Sequence, residues 1–398
     1  KEGPVIVVSN HQNGLMDPVM CCLSTRRQLH FLTRADVFKK PSVRAILTKL
    51  NMMPVYRPHD KVSNMPEKNE HIFQTCVERL KIGSCIALFP EGNHGNKYLI
   101  RPMKKGLSRL VYRSIAKYPE LEEIKIVPMG IHYSNYQNFR ANFDVRVGTP
   151  ISVKDWIQDH DDSPSSQMAL MQLVKERLRE VCWDLAPSNN YQLLHDTARQ
   201  LESENEGWNQ IRKVTQSPQK LESNSEGLDD LVESRKSLLP ATKKTPTALQ
   251  FTEGKPLSFI GKLGILLFTP LAMLGYLIHG LPCWITQQMV RKNIKDPHFT
   301  SSFKMVFGLL LIPLFNFIIL LCLGFTFGWK SMLVFLGASI VSGIIALRYY
   351  DALTDHLGYR RRKALIKNQQ QVYDQWKGLT QEALSRLNQA VDKKYALP

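Results

Sequence analysis

Three long runs without a charged residue lie near the C-terminus, and they limit the possible folds of this chain more than any other feature. The runs cover residues 263–285, 305–327 and 331–347. About 20 consecutive apolar residues in a helix are enough to cross the hydrocarbon core of a bilayer. We therefore expect 305–327 and 331–347 to form a transmembrane hairpin, with the residues around Trp329 as its turn.

The first run differs from the other two because it contains residues that interrupt helices. Pro270, Gly275, Gly280 and Pro282 all lie within it. Proline lacks the amide hydrogen that an α-helix needs, and glycine is a poor helix former. We therefore expect 263–285 to be a re-entrant or interfacial helix pair that does not cross the bilayer.

Two clusters of basic residues set the expected orientation of these runs. One cluster lies between the first and second runs, and the other follows the third run: Arg291, Lys292, Lys295 and Lys304; Arg348, Arg360, Arg361, Arg362 and Lys363. Basic loops stay on the cytoplasmic side of a membrane. If the first run does not cross, both clusters and the N-terminal part of the chain face the cytoplasm. Three full crossings would put both clusters on the side opposite the N-terminal part.

The net charge limits the class of partner, and the cysteine spacing limits the possible disulfides and metal sites. The chain has 52 Lys and Arg against 35 Asp and Glu, a net charge of +17. Such a balance is typical of proteins that bind an anionic membrane surface, a phosphorylated substrate or nucleic acid. No nucleic-acid-binding motif is present, so we expect no nucleic acid partner. The seven cysteines form no Cys-x-x-Cys pair, which predicts reduced, buried thiols rather than a disulfide framework or a metal site.

Residues 5–186 alternate between strand-like and helix-like segments. Strands are expected at 5–8, 29–33, 52–57, 84–89, 124–129 and 145–147, and helices at 18–24, 42–50, 67–81, 106–117 and 167–182. This alternation predicts an α/β fold with a mostly parallel sheet flanked by helices. In such sheets ligands bind beyond the carboxyl ends of the strands.

The composition divides the chain into four regions. We expect a catalytic domain over 1–187, a polar helical and linker region over 188–256, a membrane region over 257–350 and a cytoplasmic helical tail over 351–398. Within the polar region, helices are expected at 191–204 and 228–238. Since the first strand begins almost directly after Lys1, we also expect a segment to precede it.

The residues that follow the first strand combine an imidazole with a carboxylate. His11 and Asp17 lie between this strand and the next helix, and Asp17-Pro18 is a common pair at a helix start. A carboxylate that orients a histidine makes the histidine a general base. No Ser or Cys nucleophile adjoins His11, so we expect the imidazole to deprotonate a substrate hydroxyl directly. The alternative is a capping aspartate beside a solvated histidine.

Four short blocks of residues now stand in a fixed order. They are Asn10-His11 with Asp17; residues 53–57; residues 88–92 followed by Arg101, Lys104, Lys105 and Gly106; and residues 126–130. In this order and spacing they resemble the glycerolipid acyltransferase family, over about residues 1–150. Members of this family acylate glycerol 3-phosphate, lysophosphatidic acid and related acceptors. The apolar runs look similar to those of a larger branch with the same catalytic domain.

The resemblance implies that His11 is the base and Asp17 is its orienting partner. The usual spacing in the family leaves four residues between the two, whereas this chain has five. In a regular helix, six steps would place the side chains about 240° apart, so they would not touch. We expect a loop in which Gly14 accommodates the additional residue.

The resemblance also implies which residues bind substrate. Arg57 is similar to the family's phosphate ligand for the acceptor, and Glu91 and Gly92 are similar to its acceptor-binding turn. Asn10, beside the base, is a further candidate for substrate contact. Pro128 matches a block tied to binding of the acyl donor or to packing.

Together these expectations describe a membrane-bound O-acyltransferase of phospholipid synthesis. It would move an acyl group from acyl-CoA or acyl-carrier protein to glycerol 3-phosphate or lysophosphatidic acid, at a membrane, without a cofactor or metal. A lysophospholipid remodelling acyltransferase or transacylase is one alternative. A non-catalytic scaffold that binds membrane lipid is another.

Overall fold

The computed structural model describes residues 3–60, 62–95, 97–137, 140–185 and 255–395, with short pieces between 191 and 234. The chain divides into two compact units, Lys1–Asp184 and Leu185–Pro398. Most of the polar region at 188–256 lies outside the described residues, including most of the helices expected at 191–204 and 228–238.

The first unit is built on one seven-stranded sheet. Its strands are β1 (Val5–Ser9), β2 (Leu29–Arg34), β3 (Met52–Val55), β4 (Cys85–Leu88), β5 (Lys125–Tyr133), β6 (Phe143–Val147) and β7 (Ile151–Ser152). The strand order is β3-β2-β4-β1-β5-β6, and β7 also pairs with β5. The first five strands run parallel, whereas β6 and β7 are antiparallel to β5. The predicted mostly parallel α/β fold is confirmed.

Six α-helices accompany this sheet in the described part of the first unit. They are α1 (Met16–Leu23), α2 (Pro41–Lys49), α3 (Met65–Lys81), α4 (Gly106–Lys117), α5 (Val153–Asp159) and α6 (Pro164–Arg179). Successive side chains of a strand point to opposite faces. Ile6 and Val8 therefore pack with residues of α3, α4 and α6 on one face, whereas Val7 packs with residues of α1 on the other.

The boundaries of two elements differ from the sequence-based expectation for physical reasons. Helix α1 begins at Met16, so Asp17 lies in its first turn and is not the N-cap. Strand β5 continues past Gly130 instead of ending there. A side chain at Gly130 would place Cβ 2.0 Å from the carbonyl oxygen of Val181, so this glycine permits a close approach of two backbones.

The described part of the second unit consists mainly of four long helices. They are α7 (Phe259–Asn293), α8 (Thr300–Phe327), α9 (Trp329–Asn368) and α10 (Gln370–Tyr395). Among the described residues, three segments are able to cross a membrane by length and composition: Phe259–Asn293, Pro297–Phe327 and Trp329–Asn368. Helix α7 contains both Pro270 and Pro282, and α9 continues past residue 350, where the membrane region was expected to end. The expected re-entrant path of 263–285 stays a prediction.

Side-chain contacts fix the directions of α7 and α9. The hydroxyl groups of Thr269 and Tyr349 lie 3.3 Å apart, and Nε2 of His279 lies 3.1 Å from the carbonyl oxygen of Ser339. As the residue number rises along α7, the number of its partner in α9 falls. The two helices are therefore antiparallel over this stretch.

Helices α8 and α9 form an antiparallel hairpin. Oγ of Ser331 donates to the carbonyl oxygen of Leu323 over 3.0 Å, and Oγ of Ser339 donates to Oδ1 of Asn316 over 2.5 Å. Since α7 and α8 are both antiparallel to α9, they begin at the same end of this helix group. Asn316 and Ser339 lie midway along the runs 305–327 and 331–347, and His279 meets them there.

Candidate active site

The sheet gathers the predicted site residues at one edge. Strands β1, β3 and β4 are parallel within the same sheet, so their carboxyl ends share that edge. His11 follows β1, Arg57 follows β3 and Glu91 follows β4. Loops at this edge are where α/β folds hold their ligands.

His11 and Asp17 form the expected pair. Nδ1 of His11 lies 2.8 Å from Oδ2 of Asp17, which also accepts hydrogen bonds from the backbone amides of Gln12 (2.7 Å) and Asn13 (2.8 Å). The hydroxyl of Tyr133 donates to Oδ1 over 2.7 Å, and Asp17 is completely buried. A carboxylate held in this way accepts a hydrogen from Nδ1. Nε2 of His11 makes no hydrogen bond within the described residues and is left as the basic nitrogen.

A compact loop accommodates the additional residue between His11 and Asp17. The two backbone amides that point at Asp17 close the loop, and Oδ1 of Asn13 accepts from the amide of Met16 over 3.3 Å. Asn13 therefore provides the side-chain contact at the helix start that we expected from Asp17. Gly14 lies in the turn directly before α1, so the expectation that it accommodates the additional residue stays a prediction.

Aromatic rings surround the imidazole. The rings of His11 and Phe89 are stacked at a centroid distance of 4.3 Å, and the ring of His94 is tilted against His11 at 5.1 Å. The side chain of His11 is only 14% exposed. Stacking holds the ring plane, so the position of Nε2 is defined by both Phe89 and Asp17. Within the described residues, no group of three or more His, Cys, Asp or Glu side chains is arranged to hold a metal ion.

Glu91 is buried beneath the loop that carries His11, with 4% of its surface exposed. Oε1 accepts from the backbone amide of His11 over 3.2 Å, and Oε2 lies 2.6 Å from the guanidinium of Arg101. Burial raises the pKa of Glu91 from its ordinary value of 4.5 to about 7, although Arg101 partly opposes that rise. Because both oxygens have partners in the chain, the contacts favour a supporting role over the expected contact with acceptor.

Arg101 connects the two loops on either side of the imidazole. The nitrogen that pairs with Glu91 also donates to the carbonyl oxygens of His11 and Asn93, each over 2.6 Å. The guanidinium thus holds the backbone of the base from one side while Glu91 holds its amide from the other. Arg101 belongs to the third block, and its sequence position alone indicates no role for it.

Gly92 is required by the shape of the turn after β4. Its φ is +71°, and its amide donates to the carbonyl oxygen of Phe89 over 3.0 Å. A Cβ at this position would lie 3.1 Å from Cε of Lys104. The amide of Lys104 in turn donates to the carbonyl oxygen of Pro90 over 2.8 Å. Both the conformation and the close contact with Lys104 favour glycine here.

Arg57 lies between two carboxylates but keeps unused donors. Its guanidinium is 3.6 Å from Asp60 and 3.7 Å from Asp36, and two of its nitrogens are buried without a hydrogen-bond partner in the described residues. Asn69 fixes the preceding residue through two hydrogen bonds to the backbone of Tyr56, of 2.9 and 2.8 Å. Buried guanidinium donors of this kind suit an anionic ligand such as a phosphate.

Comparison with known proteins supports the interpretation of these four blocks. Residues 1–132 match the family model described as Acyltransferase. Over these residues the chain is similar to the glycerolipid acyltransferase family. Over 135 residues it is 27% identical to glycerol-3-phosphate O-acyltransferase 2 of Saccharomyces cerevisiae, a match that covers 33% of this chain and 18% of the yeast protein.

Two further comparisons concern a plant protein and a bacterial crystal structure. The chain is 26% identical over 103 residues to a chloroplastic 1-acyl-sn-glycerol-3-phosphate acyltransferase, BAT2, of Brassica napus, covering 26% of this chain and 28% of that protein. The chain thus spans less than a third of these curated relatives. The crystal structure of the acyltransferase PlsC of Thermotoga maritima covers 45% of this chain and 67% of that chain, with 19% identity and a TM-score of 0.32.

Two of the predicted substrate-binding residues have structural contacts in the acyltransferase domain. The side chain of Asn10 exchanges two hydrogen bonds of 2.8 Å with the backbone of Ile131, which joins the end of β1 to β5. Pro128 is buried within β5, opposite Val8 in the register of the sheet. These contacts favour a structural role for Asn10 over contact with substrate, and for Pro128 they favour packing, one of its two expected roles.

Tyr133 is a site residue that sequence reasoning missed entirely. It is the last residue of β5 and lies 116 positions from Asp17 along the chain. No local pattern marks it, because its role depends on β5 being the neighbour of β1. The fourth block, which lies in β5, was the one available indication that this strand borders the site.

Proposed function

We propose that this protein is a membrane-bound O-acyltransferase that moves a fatty acyl group from an acyl thioester to a hydroxyl of glycerol 3-phosphate or lysophosphatidic acid. The observation that carries the proposal is the His11–Asp17 pair, in which Nδ1 is bound to a buried carboxylate and Nε2 is unoccupied. The relatives named for glycerol 3-phosphate and for its 1-acyl derivative support this choice of acceptors.

The proposed reaction needs one base. The acceptor oxygen attacks the thioester carbonyl carbon while its proton passes to Nε2 of His11, and Asp17 stabilises the imidazolium that forms. The tetrahedral intermediate then collapses, the carbon–sulfur bond breaks, and the thiolate takes the proton from His11. Because an alcohol is a weak nucleophile, general-base help contributes roughly 10²- to 10⁴-fold to the rate. The donor, acyl-CoA or acyl-carrier protein, is a co-substrate, and no cofactor takes part in these steps.

In this proposal the guanidinium of Arg57 binds the phosphate group of the acceptor. Two buried nitrogens without a hydrogen-bond partner in the described residues are suited to charge-assisted bonds with phosphate oxygens. A terminal phosphate on the acceptor would supply oxygens for these two nitrogens, whereas the larger headgroup of a remodelling acyltransferase's substrate does not require such a phosphate ligand. The unused donors of Arg57 therefore favour glycerol 3-phosphate or lysophosphatidic acid as the acceptor.

In this proposal the acyltransferase domain faces the cytoplasm. The antiparallel contacts of both α7 and α8 with α9 support an α7 that enters and returns at one end of the helix group. Both basic clusters then lie on the same side as the domain, and basic loops favour the cytoplasm. The catalytic loop is thereby on the side where acyl-CoA and glycerol 3-phosphate are dissolved.

The decisive experiment uses membranes that contain the full chain and a labelled acyl-CoA. Glycerol 3-phosphate and lysophosphatidic acid are supplied separately, and acylated product is measured. His11→Ala should lower the rate by roughly 10²- to 10⁴-fold. The contacts of Glu91 and Arg101 are to the backbone of His11, so they survive this substitution.

A matched control removes a histidine elsewhere in the same domain. His160 stacks on Trp156 beside α5, at a centroid distance of 3.6 Å, and His160→Ala should leave activity near that of the wild type. Full activity of His11→Ala would overturn the mechanism. No acyl transfer to either acceptor from the wild type would instead favour a remodelling acyltransferase with another acceptor or the non-catalytic lipid-binding scaffold.

A further inference from the structure

Helix α2 is unusual in the first unit because none of its residues is buried. Val43 and Leu47 are half-buried, and the other residues of the helix are exposed. Ile46 is 59% exposed, and Leu50, directly after the helix, is 55% exposed. A helix that packs on a core normally buries its apolar stripe, so much of this stripe is left facing outward.

The apolar stripe of α2 is continuous and narrow. Val43, Ile46, Leu47 and Leu50 follow the spacing i, i+3, i+4 and i+7, which places them within an arc of about 100°. Val37, just before the helix, is also exposed. The exposed aliphatic side chains are therefore grouped on one side of the helix rather than scattered around it.

Basic residues accompany this stripe. Lys39, Lys40, Arg44 and Lys49 are all exposed. From residue 37 to residue 59 the sequence contains no Asp or Glu. The helix therefore combines exposed aliphatic side chains with an uninterrupted positive field, and no acidic neighbour along this segment reduces that field.

The helix starts beside the proposed phosphate ligand. Strand β2 ends at Arg34, and a single helical turn (Ala35–Phe38) leads from it to α2. Asp36 in that turn lies 3.7 Å from the guanidinium of Arg57. The basic N-terminal end of α2 thus adjoins the edge of the sheet that carries the candidate active site.

We propose that residues 37–50, which we call the α2 surface, dock the acyltransferase domain on an anionic lipid bilayer. The combination of exposed aliphatic and basic side chains on one helix is the pattern of helices that lie in a membrane interface. Lysine is depleted at protein–protein interfaces, which disfavours a protein partner or a second copy. The inference goes beyond the proposed reaction and does not depend on it.

The physical basis of the contact predicts how lipid charge and salt concentration affect docking. Aliphatic residues of such helices reach roughly 5–10 Å into the boundary between headgroups and acyl chains. The attraction between lysine and anionic lipid falls off within a Debye length of roughly 8 Å at physiological salt. Docking should therefore require anionic lipid and weaken as the salt concentration rises.

A fluorescent label can report the depth of the α2 surface in the full chain. The exposed thiols Cys22, Cys283 and Cys322 are replaced by serine. The remaining thiols are buried, and burial raises the pKa of Cys21 and Cys76 to about 12, so they resist labelling. Ile46→Cys is then labelled and the protein is placed in nanodiscs whose lipids carry a shallow nitroxide quencher.

A matched control label reports a surface that should remain in water. Met168 lies on α6 and is 60% exposed, close to the value for Ile46. In nanodiscs with anionic lipid, quenching at Ile46 should exceed quenching at Met168 by about twofold or more. In nanodiscs of neutral lipid alone this difference should shrink. The combined change Lys39→Gln, Lys40→Gln and Arg44→Gln should also reduce it.

Three results would overturn the proposal. The Ile46 label could be quenched no more than the Met168 label, or quenching could be independent of lipid charge. Alternatively, emission from the Ile46 label could change with protein concentration in detergent, which would indicate a second copy on this surface. Labelling at Leu50→Cys repeats the measurement at a second exposed position, so the outcome does not depend on one substitution.

Discussion

Tyr133 donates its hydroxyl hydrogen to Oδ1 of Asp17 over 2.7 Å, while Oδ2 of the same carboxylate faces His11. Each oxygen of Asp17 therefore serves a different side chain. Burial, and then the charge of Asp17, raise the pKa of Tyr133, so its hydroxyl stays protonated and remains a donor. This arrangement makes Tyr133 a positioning residue for the carboxylate that orients the base.

Tyr133→Phe should lower kcat by about tenfold, since a hydrogen bond to a charged group contributes roughly 1.5–3 kcal/mol. KM for both substrates should change little, because the hydroxyl points at Asp17 and the ring remains in place. Steady-state kinetics on membranes that contain the full chain would measure both parameters.

Tyr98→Phe is the matched control for this change. Tyr98 is also buried, but its hydroxyl donates to the backbone oxygen of Tyr133 over 2.9 Å and does not touch Asp17. Like Tyr133→Phe, the change Tyr98→Phe removes one buried hydroxyl group, but it leaves the hydrogen bonds of the Asp17 carboxylate in place. Equal losses of kcat in the two variants would contradict a specific role for Tyr133.

Asp17→Asn should have a larger effect than the change at Tyr133. The carboxylate accepts hydrogen bonds from two backbone amides, the imidazole and a tyrosine. In asparagine one of the two oxygens is replaced by an NH₂ group, which would face some of these donors and could not accept from them. The histidine would then lose its orienting acceptor. We expect kcat to fall on the order of 10³- to 10⁴-fold with correct folding retained. Near-normal turnover in a folded variant would exclude the orienting role.

Local features of this fold could be predicted from sequence, and contacts between distant segments could not. The strand before His11 and the helix after it follow from hydrophobic pattern, and the predicted pairing with Asp17 is present in the structure. The partners Tyr133 and Ile131 come from β5, which neighbours β1 only after the chain has crossed over the sheet. No periodicity specifies that neighbour, so the roles of Tyr133 and Asn10 required the structure.

The membrane region shows a second limit of pattern reading. Proline and glycine in 263–285 predicted a pair of helices, and the structure has one helix, α7, that contains Pro270 and Pro282. Neighbouring helices can satisfy the backbone groups that a proline leaves without a partner. The contacts of α7 and α8 with α9 nevertheless require the chain to turn back after His279, in the part of α7 that contains Pro282.

Arg57→Ala should raise KM for a phosphorylated acceptor by roughly 10- to 100-fold, since charge-assisted hydrogen bonds contribute about 1.5–3 kcal/mol. Turnover at saturating acceptor should change much less. An acceptor without phosphate, such as a monoacylglycerol, should be used equally poorly by the variant and the wild type.

Arg113→Ala is the control for the loss of one arginine. Arg113 lies on α4, is half exposed and pairs with Glu70 at the surface. Its substitution should leave KM unchanged. If Arg57→Ala and Arg113→Ala gave the same small effect, Arg57 would lose its role as a phosphate ligand.

Glu91→Gln should change how stability depends on pH. The folded chain raises the pKa of Glu91 from 4.5 to about 7, so the folded state binds more protons than the unfolded state between these values. Stability of the wild type should therefore decrease as pH rises from 4.5 to 7, by about 3 kcal/mol at most, and then level off. The variant should lack this component. Thermal unfolding across that range measures it, with the exposed Glu70→Gln as control.

The direction of α7 can be tested by labelling from one side of a sealed membrane. Three single-cysteine variants are made in a background without the exposed native thiols: Met168→Cys in the first unit, Lys295→Cys between α7 and α8, and Lys330→Cys at the turn between α8 and α9. All three positions are exposed. Vesicles with their cytoplasmic face outward are treated with a thiol reagent that does not cross the bilayer.

The contacts within the second unit determine the expected pattern of labelling. Because α7 and α8 are both antiparallel to α9, the chain must return to its starting end between His279 and Thr300. Met168→Cys and Lys295→Cys should therefore react in intact vesicles, and Lys330→Cys only after the membrane is opened. If Met168→Cys reacted before opening and Lys295→Cys only afterwards, α7 would cross the bilayer, and the positive charges would then lie opposite the acyltransferase domain.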